Sequence, residues 1–430
     1  RGEGVHIYDN QDRAYIDALA GLWCVNVGYG RAEIAEAIER QARTLPYYHA
    51  FASMGTEAPA RLADRVKRMA PSNMSKVFFG LSGSDANDTQ VKLVWYYNNL
   101  LGRPQKKKII ARHRAYHGVT VVAASLGGLP VLHNAFDLPL GPMLHTTTPH
   151  HYWNAPEGMS EADFSRQLAQ DLDDLIQKEG PDTVAAFIAE PVMGAGGVIV
   201  PPENYFEEIQ KVLKKHDVLL IADEVICGFG RLGKTFGSEV FGIEPDLMSV
   251  AKGITSGYVP LSACLVSEKV WQVLVEKSGA LGVFGHGYTY SAHPVSCAAA
   301  MANLDILERE GLVEAAAKTG AYMQERLRAV FAGQPMVGEV RGVGMIAAVE
   351  FVQDPAGKKA FDPALKVAVR VADKALDHGL ITRALPNSDA VGFSPPLMVS
   401  EAEIDQIVES LGLALNEVRD ELVREKVAIA

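Results

Sequence analysis

The sequence predicts an α/β fold that combines a large domain around a mixed, mostly parallel sheet with a smaller α+β domain. Short apolar runs alternate with helical patterns between residues 76 and 266, which is typical of repeated βα units. From residue 294 to residue 331 the pattern is helical, and beyond it short strands and helices mix. We therefore expect a large domain over 46–305 and a small domain built from both termini, 1–45 and 306–430.

The composition is that of a soluble globular protein with room for two domains. The chain has 430 residues, of which 48% are hydrophobic and 22% are charged. Its formal net charge of −11 argues against nucleic acids and anionic membranes as partners, because both require a basic surface. No apolar run reaches the roughly 20 residues that a membrane span needs. The chain starts at Arg1 instead of Met, so we expect that an N-terminal segment is missing.

The four cysteines predict free thiols. They are far apart in the sequence and form no CxxC pair: Cys24, Cys227, Cys264 and Cys297. Such spacing favours buried thiols in a reducing compartment over a disulfide framework. We therefore expect a cytoplasmic protein.

The periodicity of apolar residues predicts the individual elements. Residues 5–20 alternate around a turn at 10–12 and predict a hairpin, and helical spacing follows at 32–44 and 61–69. Strands are predicted at 77–79, 108–111, 184–188, 218–222, 247–250 and 263–266, with helices between several of them at 85–101, 162–179 and 202–216. Towards the C-terminus we expect strands at 344–351 and 380–383 and helices at 365–379 and 401–426.

Two successive apolar runs end in charged side chains. Asp223 follows the run 218–222, and Lys252 follows the run 247–251. Because both runs are typical of buried parallel strands, we expect both side chains at the carboxyl edge of the sheet, where α/β folds bind ligands. Either residue alone would fit a solvated turn. Together they suit pyridoxal phosphate (PLP), which needs a lysine for its aldehyde and a carboxylate beside its ring nitrogen.

Two further segments could complete a PLP site. Gly83 and Ser84 follow a predicted strand and open a predicted helix, where backbone amides and the helix dipole favour a phosphate. Tyr116 follows the next strand and could stack on a flat ring, while Val225 could cover the other face. A plain helix cap and an ordinary loop aromatic remain the alternatives for these two segments.

Two other patterns do not carry a function. Residues 228–233 fit GxGxxG, but they lie in the middle of the fold and do not follow a strand directly, so we do not expect a dinucleotide site. His113 and His117 are four residues apart without the glutamate of a zinc-binding helix. We expect no metal.

With these residues in place, the chain resembles the class III aminotransferases of PLP fold type I, the aspartate aminotransferase-like fold, and in particular their omega-transaminase (amine:pyruvate) branch. The matching stretches are GLWCVNVGYG (21–30), SGSDANDT (82–89), AYHGVT (115–120), IAEPVMGAGGV (188–198), IADEVICGFGR (221–231), GHGYTYSAHP (285–294) and LITRAL (380–385). They occur in order and cover nearly the whole chain. One departure is that Leu81 and Asp85 stand where the family usually has Asn and Glu.

The resemblance implies a role for each site residue. Lys252 would bind PLP covalently, and Asp223 would contact the ring nitrogen. The other cofactor contacts would come from Gly83, Ser84, Tyr116, His117, Glu190 and Val225. Thr289 would reach the phosphate of a neighbouring subunit, which implies a homodimer or a tetramer. The substrate pocket would be lined by Leu22, Trp23, Phe51, Tyr116 and Tyr288, and Arg383 would receive the carboxylate of the acceptor.

One position bears on the substrates. Class III enzymes that use glutamate or 2-oxoglutarate often carry a glutamate in the loop after Glu-Pro, where this chain has Ala195. We therefore expect transfer of an amino group from an amine, such as an omega-amino acid, a polyamine or an aryl-alkyl amine, to pyruvate. The products would be an aldehyde or ketone and L-alanine. The alternatives are a 2-oxoglutarate-dependent aminotransferase, a PLP decarboxylase or aminomutase, and a non-catalytic protein that kept the fold.

Overall fold

A computed structural model describes residues 1–386 and 388–429 of the chain. The strands are β1 Gly2–Glu3, β2 His6–Tyr8, β3 Ala14–Asp17, β4 Met74–Gly80, β5 Lys108–Arg112, β6 Met143–Thr146, β7 Val184–Ala189, β8 Leu219–Asp223, β9 Leu247–Val250, β10 Ser262–Ser267, β11 Val337–Val343, β12 Ile346–Phe351, β13 Leu380–Ile381, β14 Arg383–Ala384 and β15 Ala390–Phe393.

The helices stand between many of these strands along the chain, and the longest has 24 residues. They are α1 Ala20–Trp23, α2 Ala32–Thr44, α3 Glu57–Met69, α4 Gly83–Leu100, α5 Val121–Leu126, α6 His151–Asn154, α7 Glu161–Glu179, α8 Tyr205–Lys215, α9 Gly237–Phe241, α10 Glu268–Lys277, α11 Pro294–Arg309, α12 Leu312–Phe331, α13 Val367–Asp377 and α14 Glu401–Arg424. Among the described residues, no helix is long and apolar enough to cross a membrane.

The main sheet has seven strands in the order β4-β10-β9-β8-β7-β5-β6. The pairings from β9 through β8, β7 and β5 to β6 are parallel, and only β10 runs antiparallel to its neighbours β9 and β4. Strands β7, β8 and β9 are buried along their whole length, which fits their continuous apolar sequences. The predicted α/β fold with a mixed, mostly parallel sheet is therefore confirmed.

Two four-stranded sheets lie outside the main sheet. The N-terminal hairpin β2-β3 is extended by β1 and, in parallel, by β13 from the C-terminal part of the chain. Strands β11, β12, β15 and β14 form an antiparallel sheet. The N-terminal and C-terminal segments thus share a sheet, as the predicted small domain requires, while the domain boundaries stay a prediction.

The predicted elements differ from the observed ones at their ends, and strand β1 and helices α1, α5, α6, α9 and α10 were not predicted. The helix predicted at 202–216 begins only at Tyr205, and the strand predicted at 344–351 begins at Ile346. Strands β6, β11 and β15 were not predicted. None of these differences affects the strands that carry Asp223 and Lys252.

Candidate active site

Asp223 and Lys252 border one cavity of about 390 Å³ at the carboxyl edge of the main sheet. Asp223 is the last residue of β8 and lies opposite Ser249 of the parallel neighbour β9. Lys252 follows the end of β9 by two residues, in a turn where its φ of +43° is left-handed. The two strands therefore deliver an acid and an amine to the same space, as the sequence predicted.

The Asp223 carboxylate is fixed by three donors. Its Oδ2 accepts hydrogen bonds from Nδ2 of Asn87 and from Nδ1 of His117, both at 2.8 Å. Its Oδ1 accepts one hydrogen bond from the backbone N–H of Val225 at 3.1 Å. Asp223 and His117 are both buried, so these bonds are sheltered from water and hold the carboxylate in one orientation.

The Lys252 amine is partly buried beside this carboxylate. Burial lowers the pKa of Lys252, and the negative charge of Asp223 acts in the opposite direction. A larger fraction of the amine is therefore neutral at a given pH than for a solvated lysine. A neutral amine is the form that attacks an aldehyde or accepts a proton.

The start of α4 forms a cradle for an anion on the cavity wall. Ser82 is the N-cap, and Asp85 closes a capping box by accepting from the backbone N–H groups of Leu81 and Ser82. The backbone N–H groups of Gly83 and Ser84 belong to the first helical turn, where N–H groups have no acceptor within the helix. Asp85 thus fixes the backbone at the start of α4.

Two glycines allow the backbone to come close to this cradle. A Cβ at Gly83 would lie 3.0 Å from Cγ1 of Val225, and a Cβ at Gly118 would lie 2.5 Å from Oγ of Ser84. Gly118 also has a φ of +134°, which other residues rarely adopt. Val225 and Tyr116 also line the cavity and offer apolar surface for a ring. With the helix N–H groups, the amine and the carboxylate, the cavity therefore has groups suited to the phosphate, ring, aldehyde and ring nitrogen of PLP.

Glu190 supports the wall that carries Tyr116. One carboxylate oxygen accepts from the backbone N–H of Tyr116 at 3.2 Å, and the other accepts from Gly194 at 3.1 Å. Burial raises the pKa of Glu190. Burial likewise raises the pKa of the Tyr116 phenol, and the nearby positive charge of Arg383 opposes that rise.

The predicted substrate residues are divided between the cavity and its surroundings. Leu22 and Tyr116 line the cavity, and 56% of the Leu22 surface is exposed. Trp23 is only 4% exposed and lies against Gly194, so in this structure it packs behind the cavity wall. Its role in a substrate pocket stays a prediction.

The remaining predicted residues lie outside the cavity lining. Phe51 is an exposed residue that lies against Gly287, and the Tyr288 hydroxyl donates to the backbone oxygen of Asp85 at 3.3 Å. Thr289 is exposed, and its carbonyl accepts from the Tyr47 hydroxyl at 2.7 Å. Arg383 is exposed at the start of β14. Their predicted roles therefore need a moved side chain or a second subunit.

The structure also identifies site residues that sequence reasoning missed. Asn87 contacts Asp223, and Cys24, Ile226 and Thr255 line the cavity. Cys24 and Ile226 directly follow the predicted site residues Trp23 and Val225, which was the available signal, and Asn87 lies three residues after Ser84 within the stretch 82–89. Thr255 carried no comparable signal, because it reaches the cavity through the turn after Lys252.

Comparisons with known proteins agree with this geometry. The family model of class-III aminotransferases matches residues 1–415. A diaminobutyrate–2-oxoglutarate transaminase from Halomonas elongata is 54% identical over 426 residues, which cover 99% of this chain and 91% of the relative. The omega transaminase from Pseudomonas jessenii in complex with PMP has a TM-score of 0.95 at 50% identity, over 98% of this chain and 92% of that one.

A third match is a solved transaminase with L-alanine, with a TM-score of 0.95 and 47% identity, covering 98% of this chain and 99% of that one. These matches confirm the PLP fold type I that the sequence predicted. The cofactor of class III aminotransferases is PLP, and the cavity has a fitting group for each of its parts. The chain therefore belongs to the class III aminotransferases and is a PLP-dependent aminotransferase.

Proposed function

We propose that this enzyme moves the amino group of an amine without an α-carboxylate to pyruvate, giving an aldehyde or ketone and L-alanine. The observation that carries the proposal is that the guanidinium of Arg383 is not engaged in an ion pair with any described residue. Among the described residues it has no ion-pair partner, and the loop after Glu190-Pro191 offers Ala195 where an acid would pair with it. An unpaired arginine beside Tyr116 is free to bind a small keto acid by its carboxylate.

The residues of the chain have separate tasks in this reaction. PLP, when bound, supplies an aldehyde that takes up the amino group and a ring that accepts electrons. The Lys252 amine takes the proton from the amine-bearing carbon of the donor, since its lowered pKa makes the neutral form accessible. Asp223 would hold a proton on the ring nitrogen, and the amides at the start of α4 would bind the phosphate. Leu22 and Ile226 exclude water with apolar surface.

The relatives support parts of the proposal. The solved transaminase with L-alanine supports the pyruvate–alanine pair, whereas diaminobutyrate, the donor in the name of the Halomonas relative, carries an α-carboxylate. The name of the Halomonas relative also carries 2-oxoglutarate as its acceptor. A 2-oxoglutarate-dependent aminotransferase is therefore the second candidate.

A panel of donors and acceptors separates the candidates. The holoenzyme is assayed with 4-aminobutyrate, 1,4-diaminobutane and 1-phenylethylamine, each against pyruvate and against 2-oxoglutarate. We expect L-alanine from pyruvate, with kcat/KM above that for 2-oxoglutarate by at least about tenfold, the equivalent of one lost charged contact. A higher kcat/KM with 2-oxoglutarate would assign the second candidate, and release of CO2 from the donor would assign a decarboxylase.

We further propose that the working enzyme is a homodimer in the cytoplasm. Thr289 lies outside the cavity of its own chain. The apolar side chains of Phe51, which lies against Gly287, and of Val283 are exposed. A second subunit would cover them and would bring Thr289 to the neighbouring phosphate. All four cysteines are free thiols and three are buried, which suits a reducing compartment.

A further inference from the structure

We propose that Asn87 is a positioning residue that ties together three parts of the PLP site through its side-chain amide. Asn87 lies on α4, whose first turn forms the phosphate cradle. Its amide contacts the loop of Tyr116 and His117, and it contacts Asp223. The inference depends on PLP as the cofactor and is independent of the proposed donor and acceptor.

The contacts show that Asn87 acts as a double donor. Its Nδ2 donates to the backbone oxygen of His117 at 2.7 Å and to Oδ2 of Asp223 at 2.8 Å. The residue is 0% exposed, and among the described residues its Oδ1 has no partner. A rotated amide would place Oδ1 against two acceptor oxygens, so the two acceptors fix the orientation of the amide.

The bond to Asp223 decides which carboxylate oxygen is available to the cofactor. Oδ2 accepts hydrogen bonds from the side chains of Asn87 and His117, whereas Oδ1 accepts only one hydrogen bond within the described part of the chain, from a backbone N–H. Oδ1 is thus the oxygen left for a ring nitrogen. Two donors on Oδ2 also stabilise the negative charge that a protonated ring nitrogen needs beside it.

The hydrogen bond from Asn87 to His117 links the loop that carries Tyr116 to helix α4. The backbone oxygen of His117 is held by Asn87, and the backbone N–H of Val119 donates to Oγ of Ser84 at 3.1 Å. Residues on both sides of Gly118 are therefore attached to the first turns of α4. Asn87 keeps the spacing between the phosphate end and the ring end of the site.

The variant Asn87→Asp tests this role because it keeps the shape and replaces the donor by an acceptor. At pH 8 two carboxylates would face each other, and the backbone oxygen of His117 would lose its donor. We expect the PLP dissociation constant of the holoenzyme, measured by ultrafiltration, to rise by about tenfold or more, as for loss of a charged hydrogen bond. Near pH 6 a proton shared between the two carboxylates restores one bond, so the affinity should partly return.

The matched control is Asn98→Asp, which is on the same helix and is equally buried. Asn98 is 1% exposed, and its Nδ2 donates to the backbone oxygen of Val94 at 2.9 Å, away from the cavity. The Asn98→Asp variant should keep wild-type PLP affinity and the wild-type visible spectrum between pH 6 and pH 9. The further variant Asn87→Leu should bind PLP weakly at every pH, because it has neither a donor nor a charge.

The proposal is overturned by any of three results. Wild-type PLP affinity in Asn87→Asp at pH 8 would show that the amide does not position the site. An equal loss in Asn98→Asp would assign the effect to a buried charge in α4. A loss in Asn87→Asp that does not change between pH 6 and pH 9 would mean that Asp223 is not the group affected.

Discussion

Lys252 has two properties that a structural lysine would not need. Its backbone is left-handed, which costs of the order of 1 kcal/mol or more for a residue with a side chain. Its amine is withdrawn from water, which lowers the pKa. The strained backbone and the buried amine are both explained if the Lys252 side chain must reach the cavity that it shares with Asp223.

Replacing Lys252 by alanine should abolish turnover but leave the cofactor site assembled. The phosphate cradle and Asp223 remain, so Lys252→Ala should bind PLP without a covalent link. We expect kcat to fall by at least about a thousandfold, since both a nucleophile and a proton carrier are lost. Transamination of an amine with pyruvate and reduction with borohydride measure the two effects. Lys211→Ala, at an exposed ion pair on α8, is the control, and full activity in Lys252→Ala would contradict the assignment.

Replacing Arg383 by alanine should affect the two half-reactions unequally. If the guanidinium binds the carboxylate of pyruvate, Arg383→Ala should raise the KM for pyruvate about tenfold or more, as for loss of a charged hydrogen bond. The KM for 1-phenylethylamine, which has no carboxylate, should change little. Arg166→Ala on the exposed face of α7 is the control. Equal changes in both KM values would contradict a carboxylate-binding role.

The residues that could be predicted are those with a signal in their own strand. Asp223 and Lys252 each end an apolar run, and the strand order then brings them together. The contacts of Asn87 could not be predicted from its place in the stretch 82–89, because its partners come from a loop 30 residues away and a strand 136 residues away. The resemblance predicts Trp23 as a pocket residue, but its close contact with Gly194 depends on tertiary packing and has no signal in the sequence.

At the scale of elements, the strands that were missed lack the pattern of a buried strand. Strand β11 contains Glu339 and Arg341, which are charged and would normally indicate solvent exposure. Arg341 is nevertheless buried, because its guanidinium donates to the backbone oxygen of Gly197 at 2.6 Å and pairs with Glu339 at 2.7 Å. Strand β6 ends in the polar residues His145 and Thr146, and β15 contains Gly392, a residue type that is disfavoured inside strands.

The connection between β8 and α9 should make stability depend on pH. Glu224, directly after β8, is fully buried, and it accepts from the backbone N–H groups of Gly237 and Ser238. Burial raises the pKa of Glu224 to about 7, and the hydrogen bonds from Ser238 and Gly237 oppose the rise. Because the folded-state pKa exceeds the usual 4.5, the folded protein holds the proton of Glu224 more tightly than the unfolded chain does. The protonated Glu224 therefore stabilises the fold fully below about pH 4.5, and this stabilisation is lost as the pH rises through 7.

The variant Glu224→Gln removes this titration while keeping one acceptor oxygen. The unfolding temperature of the wild type minus that of the variant should therefore fall as the pH rises from 5 to 8, by several degrees. Differential scanning calorimetry of the holoenzyme measures the difference at each pH. Glu244→Gln, at an exposed position before β9, should show no such trend. A constant difference across this range would mean that Glu224 does not titrate there.

At the scale of the whole molecule, one chain forms most of a PLP site but leaves part of it unfilled. The cavity contains the amine, the carboxylate and the helix start, whereas Thr289 is exposed outside it. The mostly parallel sheet and its buried strands could be predicted because such strands have a strong apolar signal, whereas the strand order was not predicted. Contacts with a second subunit would leave no periodic signal in the sequence, so only the resemblance predicts them.

Mixed dimers can show whether Thr289 acts in the neighbouring subunit. Lys252→Ala alone lacks turnover, and Thr289→Ala alone should bind PLP more weakly, so that it is inactive at limiting PLP. In a heterodimer of these two chains, the chain with Lys252 would receive an intact Thr289 from its partner. One complete site per dimer would then be restored, with about half of the wild-type kcat at limiting PLP, because one of two equivalent sites works. If Thr289 acted within its own chain, that same site would still carry the defect, and the heterodimer would show no more activity than Thr289→Ala alone.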